Sequence, residues 1–256
     1  MSKPIQPMSD QQALRYSRHV MLPTLDFAGQ ERILAARVAI VGMGGLGCAV
    51  APYLAGSGVG ELILIDNDRI ERSNLQRQIL FREGNIGDYK AETAAESLCA
   101  LNSEVKIKSV SERLTPENIQ SVLANSDVVV DCSDNLESRN LLNAFCWQHH
   151  IPLVSGAAIR FEGQVAVYPM TEDTPCYRCF SRLFGEQQLT CMEAGVFSPI
   201  VGVVGTLQAV ETLKLIAHVG ESLSGAVLLY DGAHATWQRV TLTKSPDCSV
   251  CASPRA

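Results

Sequence analysis

The fold is decided by one stretch, Val38-Ala39-Ile40-Val41-Gly42-Met43-Gly44-Gly45-Leu46-Gly47. Residues 38–41 are a short apolar run rich in β-branched side chains, which predicts a buried strand. Residues 42–47 fit G-x-G-x-x-G, a pattern that permits a tight turn and lets the backbone approach a phosphate closely. The small and apolar residues 48–57 predict a helix, ended by Gly58 and Gly60. A helix that starts behind such a turn presents free N–H groups and the positive end of its dipole. Residues 61–65 predict a second buried strand. Asp66 then stands about 20 residues beyond the turn, where a carboxylate meets ribose hydroxyls. This context points to a nucleotide but not to which one: a nicotinamide dinucleotide and ATP both bring adenosine and phosphate.

Working outward, the same alternation continues. Strands are predicted at 105–110, 128–131 and 153–155, and helices at 90–101, 116–124 with Thr115 as N-cap, and 136–149. Residues 10–35 read as helical at both ends. After Gly156 the pattern changes: 163–168, 226–230 and 236–243 alternate in the antiparallel manner, separated by a loop region (171–198) and a helix at 200–218. The expected fold is α/β, a Rossmann-like doubly wound, mainly parallel sheet continued by antiparallel strands. Neither repeats nor a flexible linker divide it, so residues 1–256 are expected to form a single domain with a nucleotide-binding half at about 10–155 and a specialised half at about 156–256.

Composition sets the outer bounds. The 256 residues are 46% hydrophobic and 19% charged, with a net charge of −6, which argues against a general nucleic-acid binder. Residues 1–10 are polar and broken by Pro4 and Pro7, unlike a signal peptide. The longest charge-poor stretch, 196–210, is shorter than the roughly 20 residues needed to span a bilayer, so a buried helix and a cytoplasmic protein are expected, without a membrane partner.

Two groups of charged residues bear on chemistry. Arg77, in Ser73-Asn74-Leu75-Gln76-Arg77-Gln78, and Lys90 are cations beyond the glycine turn, as a triphosphate needs; the plain alternative is solvated surface charge. Asp131-Cys132-Ser133-Asp134-Asn135 brings carboxylates to a strand end, where Asp134 can hold magnesium against phosphate oxygens or, with Asn135, cap the next helix.

Nine cysteines, an odd number without a secretory signal, read as thiols and metal ligands. Cys176-Tyr177-Arg178-Cys179 and Cys248-Ser249-Val250-Cys251 are two Cys-x-x-Cys knuckles suited to a structural zinc, with a redox dithiol as the rival. Cys191 stands apart, a nucleophile or an incidental thiol. Cys48, Cys99, Cys132 and Cys146 read as core thiols.

Taken together, Arg15-Tyr16-Ser17-Arg18, residues 42–47, Asp66-Asn67-Asp68, residues 73–78, Lys90, residues 131–135, Ser155-Gly156-Ala157, Gly163-Gln164 and the paired cysteines resemble the ThiF/MoeB/HesA family, relatives of ubiquitin-activating enzymes. The resemblance runs from about Ser9 to Cys251. Residues 26–31, 157–164 and 181–186 are most similar to the branch that serves molybdopterin synthase, in its form without a rhodanese-like domain.

This resemblance implies ATP-dependent adenylation of the C-terminal glycine of a ubiquitin-like sulfur carrier ending in Gly-Gly. The carrier is of the molybdopterin-synthase small-subunit type, in molybdenum cofactor biosynthesis, with a thiazole-pathway carrier as the alternative. The implied cofactors are ATP, magnesium and a structural zinc. By position, Gly45, Asp66, Ser73, Asn74, Leu75, Gln76, Arg77, Lys90, Asp134 and Asn135 bind nucleotide. Arg77 and Lys90 steady phosphates, Asp134 holds magnesium, and Arg18 reaches the neighbour's ATP across a homodimer. Cys176, Cys179, Cys248 and Cys251 hold zinc, Cys191 is non-essential, and the second half binds the carrier. A nicotinamide-dependent dehydrogenase accounts for the turn and Asp66 but leaves the cations idle. A non-catalytic zinc-bound module needs no intact nucleotide site.

Overall fold

Strands that are apolar at nearly every position must sit inside a sheet covered on both faces. In the computed structural model, which describes residues 5–183 and 194–252, this holds for β1 (Arg37–Val41), β2 (Glu61–Ile65) and β4 (Val128–Asp131). Their alternate residues feed two separate cores. Val38, Ile40, Leu62, Leu64, Val128 and Val130 face one; Ala39, Val41, Ile63, Ile65 and Val129 face the other.

Helices α3 (Asp26–Ala35), α4 (Gly45–Gly56), α5 (Lys90–Leu101) and α9 (Ser198–Ala217) supply the first core. Helices α6 (Ile119–Leu123), α7 (Leu136–His149) and α8 (Tyr177–Ser181) supply the second. Two short helices, α1 (Asp10–Arg15) and α2 (Ser17–Val20), precede α3.

Among the described residues, eight strands form one sheet in the order β3-β2-β1-β4-β5-β6-β7-β8. The first five are parallel, with β3 at Lys106–Val110 and β5 at Leu153–Ile159. The last three, β6 (Glu162–Tyr168), β7 (Ala226–Asp231) and β8 (Thr236–Thr241), are antiparallel. Strand β5 is the hinge between the regimes: residues 153–155 pair in parallel with β4, and its whole length pairs antiparallel with β6. That second partnership is why it runs past the expected end at Ser155. Chain order reverses between β1 and β4, so the crevice for a ligand opens at their carboxyl ends.

Four local expectations are corrected. Helix α4 begins at Gly45, three residues before the expected Cys48, because Gly44 is already the extended N-cap residue. The predicted 116–124 helix shrinks to Ile119–Leu123, and Asn118, not Thr115, precedes it. The Asn118 side chain folds back, accepting from Thr115 N (2.8 Å) and donating to Arg113 O (2.9 Å), which closes a turn in competition with the helix. Cys99 is exposed on α5 rather than in the core. The loop region contains the short helix α8.

Helix α9 is long and apolar enough to cross a membrane, yet it packs on α4 and β5 as a core helix, with Glu211 buried inside it. Glu211 is satisfied by Lys214 Nζ (2.6 Å) and Leu223 N (2.8 Å).

Candidate nucleotide site and cysteine cluster

A cleft of about 1490 Å³ opens at the β1/β4 reversal and continues along the antiparallel strands. Its floor is the glycine turn. Gly42 adopts a φ of +95°, and a Cβ there would lie 2.7 Å from Cys132 O, at the end of β4. At Gly47, in the first turn of α4, a Cβ would meet Gly42 O at 2.1 Å. The turn can therefore close only with glycine at both places. Among the described residues no side chain caps α4, so its first N–H groups are left for an anion.

Asp66 holds this turn as well as facing the cleft. Its carboxylate accepts from Met43 N (2.7 Å) and Asp68 N (2.8 Å). Burial pushes its pKa above the ordinary carboxylate range, while Lys90 and the two N–H groups pull it back.

Lys90 is not a surface cation. Its side chain is 8% exposed, and its ammonium donates to Asp68 Oδ2 at 2.8 Å while its backbone N–H donates to Asp68 O at 3.0 Å. A buried cation held by one exposed carboxylate can exchange that partner for a phosphate.

The segment after β2 is shaped by a short 3₁₀ turn at Arg72–Asn74, in which Asn74 Oδ1 accepts from Glu71 N (3.1 Å). The turn brings Ser73, Asn74, Gln76 and Arg77 to the cleft wall. Arg77 Nη1 donates to Ser73 O at 3.1 Å. Leu75 does not join them: it turns to the first core and is absent from the cleft wall.

On the β4 side, Asn135 takes the capping role, accepting from Ser138 N at 2.9 Å. Asp134 remains exposed at the cleft, with the Asn135 amide 3.4 Å from Oδ1. Gly45, Asp66, Lys90, Asp134 and Asn135 thus share one cleft with the four residues above. Arg18 does not. It is exposed on α2, its guanidinium 3.8 Å from Met21 Sδ, outside the cleft of its own chain.

Several residues of this region have no assigned role in the sequence reading. Asp131 is buried, accepting from Ser133 N (3.0 Å), Ser133 Oγ (2.6 Å) and Ser155 Oγ (2.7 Å). Arg139, also buried, donates to Ser133 O (2.8 Å) and Gly156 O (3.1 Å). Gln208 donates to Asp131 O at 2.8 Å. Gln78, whose buried Oε1 has no hydrogen-bond partner, lines the cleft beside Gly44. A polar residue inside the apolar run of α9 was the sequence signal for Gln208; Arg139 gave none.

The two knuckles meet on the far side of the second core. The four sulfurs of Cys176, Cys179, Cys248 and Cys251 lie within 4.8 Å of one another and all four residues are buried. Cys176 and Cys248 are 3.7 Å apart, Cys179 and Cys251 3.4 Å. A tetrahedral zinc with bonds of about 2.3 Å has sulfur–sulfur edges of roughly 3.8 Å, so the cluster fits the ion. These spacings are far beyond a disulfide bond of about 2.05 Å. Burial raises the Cys176 thiol to about 11. At Cys248 burial pushes the same way, but the backbone N–H groups of Cys251 and Val250 bring that thiol down to about 7. Cys191, with the rest of residues 184–193, lies outside the described residues.

Comparison with known proteins agrees with this architecture. The ThiF family model matches residues 16–250. The chain belongs to the ThiF family. Among ThiF-type relatives, the molybdopterin-synthase adenylyltransferase of Salmonella typhimurium is 49% identical over 244 residues, covering 95% of this chain and 98% of that one. The Escherichia coli sulfur carrier protein ThiS adenylyltransferase is 39% identical, covering 97% and 99%. A crystal structure of E. coli MccB with ATP superposes with a TM-score of 0.81 at 28% identity, covering 93% of this chain and 73% of that chain.

Proposed function

We propose that the protein is an adenylyltransferase that activates the C-terminal glycine of a ubiquitin-like sulfur carrier, the small subunit of molybdopterin synthase, for molybdenum cofactor biosynthesis. The observation that carries this reading is the convergence of the uncapped α4 N-terminus, Arg77, the buried Lys90 and Asp134 on one cleft. A dinucleotide would leave those extra cations unused. The 49% identity to a molybdopterin-synthase adenylyltransferase across nearly the whole of both chains supports this carrier, against 39% to the ThiS adenylyltransferase.

The attacking group is a carboxylate, already an anion, so the site needs no strong base. One carboxylate oxygen attacks the α-phosphorus, the α–β bridging P–O bond breaks, and pyrophosphate leaves. Catalysis is then positioning and neutralisation of charge. Asp66 meets the ribose, the glycine turn the phosphates, and Arg77 and Lys90 the charge that builds on the leaving pyrophosphate. Asp134 is the hard oxygen ligand suited to magnesium, which supplies further neutralisation of the phosphates when bound. The carrier tail lies along the antiparallel part of the cleft, past Ala157 and Gln164. The cysteine cluster holds a structural zinc.

The protein acts as a cytoplasmic homodimer within a single domain. Arg18 is exposed among the exposed apolar side chains Leu14, Met21, Leu22 and Phe27, which suits a face covered by a second copy. Across that face Arg18 reaches the partner's nucleotide.

Carrier-dependent ATP–pyrophosphate exchange tests the reading, run in parallel with the molybdopterin-synthase small subunit and the thiazole-pathway carrier. Exchange with the first alone is expected. Exchange with the second alone moves the protein to the thiazole pathway, and exchange with neither, from folded zinc-loaded protein, removes the assignment.

A further inference from the structure

Helix α7 touches both functional centres. Its N-terminus carries Asn135 and follows Asp134 at the nucleotide cleft. One turn in, Arg139 donates through Nη2 to Ser133 O (2.8 Å), the carbonyl just before Asp134, and to Gly156 O (3.1 Å) on β5. Its Nε lies 4.0 Å from Asp131 Oδ2.

Four residues further, on the same helix face, Asn143 is fully buried. Its Nδ2 donates to Cys176 Sγ at 3.5 Å, and its Oδ1 accepts from Tyr177 N at 2.9 Å. Both amide ends are thus committed to the first knuckle. Tyr177, between the two cysteines of that knuckle, has a buried hydroxyl with no hydrogen-bond partner among the described residues, within electrostatic reach of the Arg139 guanidinium. The Tyr168 ring packs edge-on against Tyr177 at 6.1 Å and fixes its plane. A continuous buried path therefore runs from a sulfur of the cysteine cluster through Asn143, Tyr177 and Arg139 to the backbone that presents Asp134.

We propose that this path couples metal occupancy of the cysteine cluster to nucleotide occupancy of the cleft, with Asn143 as the positioning residue at the metal end and Arg139 at the nucleotide end. The inference rests on the nucleotide reading of the cleft. A hydrogen bond from Asn143 orients Cys176 as a thiolate ligand, as outer-shell donors do at metal sites. Metal binding fixes the knuckle, hence Tyr177, hence the space in which Arg139 holds the Ser133 carbonyl. Coupling of binding free energies is reciprocal, so a nucleotide that fixes the Ser133–Asp134 turn must tighten the metal by the same factor. The shared path is built of buried groups with few alternative partners, so a shift at one end has nowhere to dissipate.

The test needs no substitution to begin. The zinc dissociation constant of the wild-type protein is measured by competition with a chromophoric chelator, in excess magnesium, with and without a saturating non-hydrolysable ATP analogue. Binding of the analogue is measured separately by calorimetry. The analogue is expected to tighten zinc at least about 5-fold, the lower end of ordinary allosteric coupling. Asn143→Ala is expected to weaken zinc and to reduce that tightening below about 2-fold. Arg139→Lys keeps the charge but loses the forked contact with two carbonyls, and is expected to leave zinc affinity unchanged while abolishing the tightening. An analogue that binds but leaves zinc affinity unchanged overturns the coupling alone. An analogue that does not bind overturns the nucleotide reading and the coupling with it. Full tightening in a folded Asn143→Ala protein removes the proposed path.

Discussion

The two ends of the sheet are held together by different means. Strands β1, β2 and β4 are buried on both faces and feed two apolar cores, so the loops at their carboxyl ends stand on a closed scaffold. Strand β8 is exposed along nearly its whole length, and the chain beyond it returns to the body as a tail fastened by sulfur. Where apolar burial is complete, exposed loop residues such as Asp134 are free to be chosen for chemistry. Where it runs out, four buried cysteines gather into a set that fits a zinc ion.

The largest effect expected from this contrast is on chemistry in the parallel half. Asp134→Ala should lower carrier-dependent pyrophosphate exchange by about 100-fold or more, since it removes the carboxylate assigned to hold the magnesium that neutralises the reacting phosphates. Its side chain is exposed, so the thermal midpoint should stay at the wild-type value; activity and a melt on one preparation check both statements. Stability in the second half should respond in the opposite manner. Cys248→Ser, or removal of zinc by a chelator, should cost on the order of several kcal/mol, read as a lower midpoint. Hydrogen exchange should rise first around α8 and residues 242–252, while β1, β2 and β4 stay protected.

A pair of substitutions within α4 sharpens the comparison further. Gly47→Ala places a methyl group 2.1 Å from Gly42 O and should destabilise by about 1–3 kcal/mol and weaken ATP, measured by urea unfolding and calorimetry. Gly56→Ala meets nothing within 4 Å and should be neutral or stabilising by up to about 1 kcal/mol. The smallest effect belongs to the exposed edge: Trp237→Ala, which removes a ring stacked at 4.3 Å on Tyr230, should cost no more than about 1 kcal/mol.

The same division explains what could be read from sequence. Buried parallel strands announce themselves as apolar runs, and the glycine turn, Asp66 and both knuckles follow from spacing along the chain, whereas residue type alone leaves Lys90 open as a surface cation and only the family resemblance assigns it to phosphates. Contacts made to backbone carbonyls far away leave no such trace. Arg139 answers to Gly156 O 17 residues on, and Gln208 to Asp131 O 77 residues back. Leu75 sits inside a polar motif yet faces the core, because a 3₁₀ turn rotates it away from its neighbours. Arg18 lies outside the cleft of its own chain, and its reach to a neighbour's ATP is implied by the resemblance alone.

Adenylate made in this cleft must end on the carrier's C-terminal glycine. Intact-mass analysis of the molybdopterin-synthase small subunit after incubation with the protein and Mg-ATP tests it most directly. The account predicts an adenylyl addition on the carrier, lost when its final glycine is deleted and absent with Asp134→Ala. ATP turnover that leaves the carrier mass unchanged, or addition that survives loss of the final glycine, would contradict it.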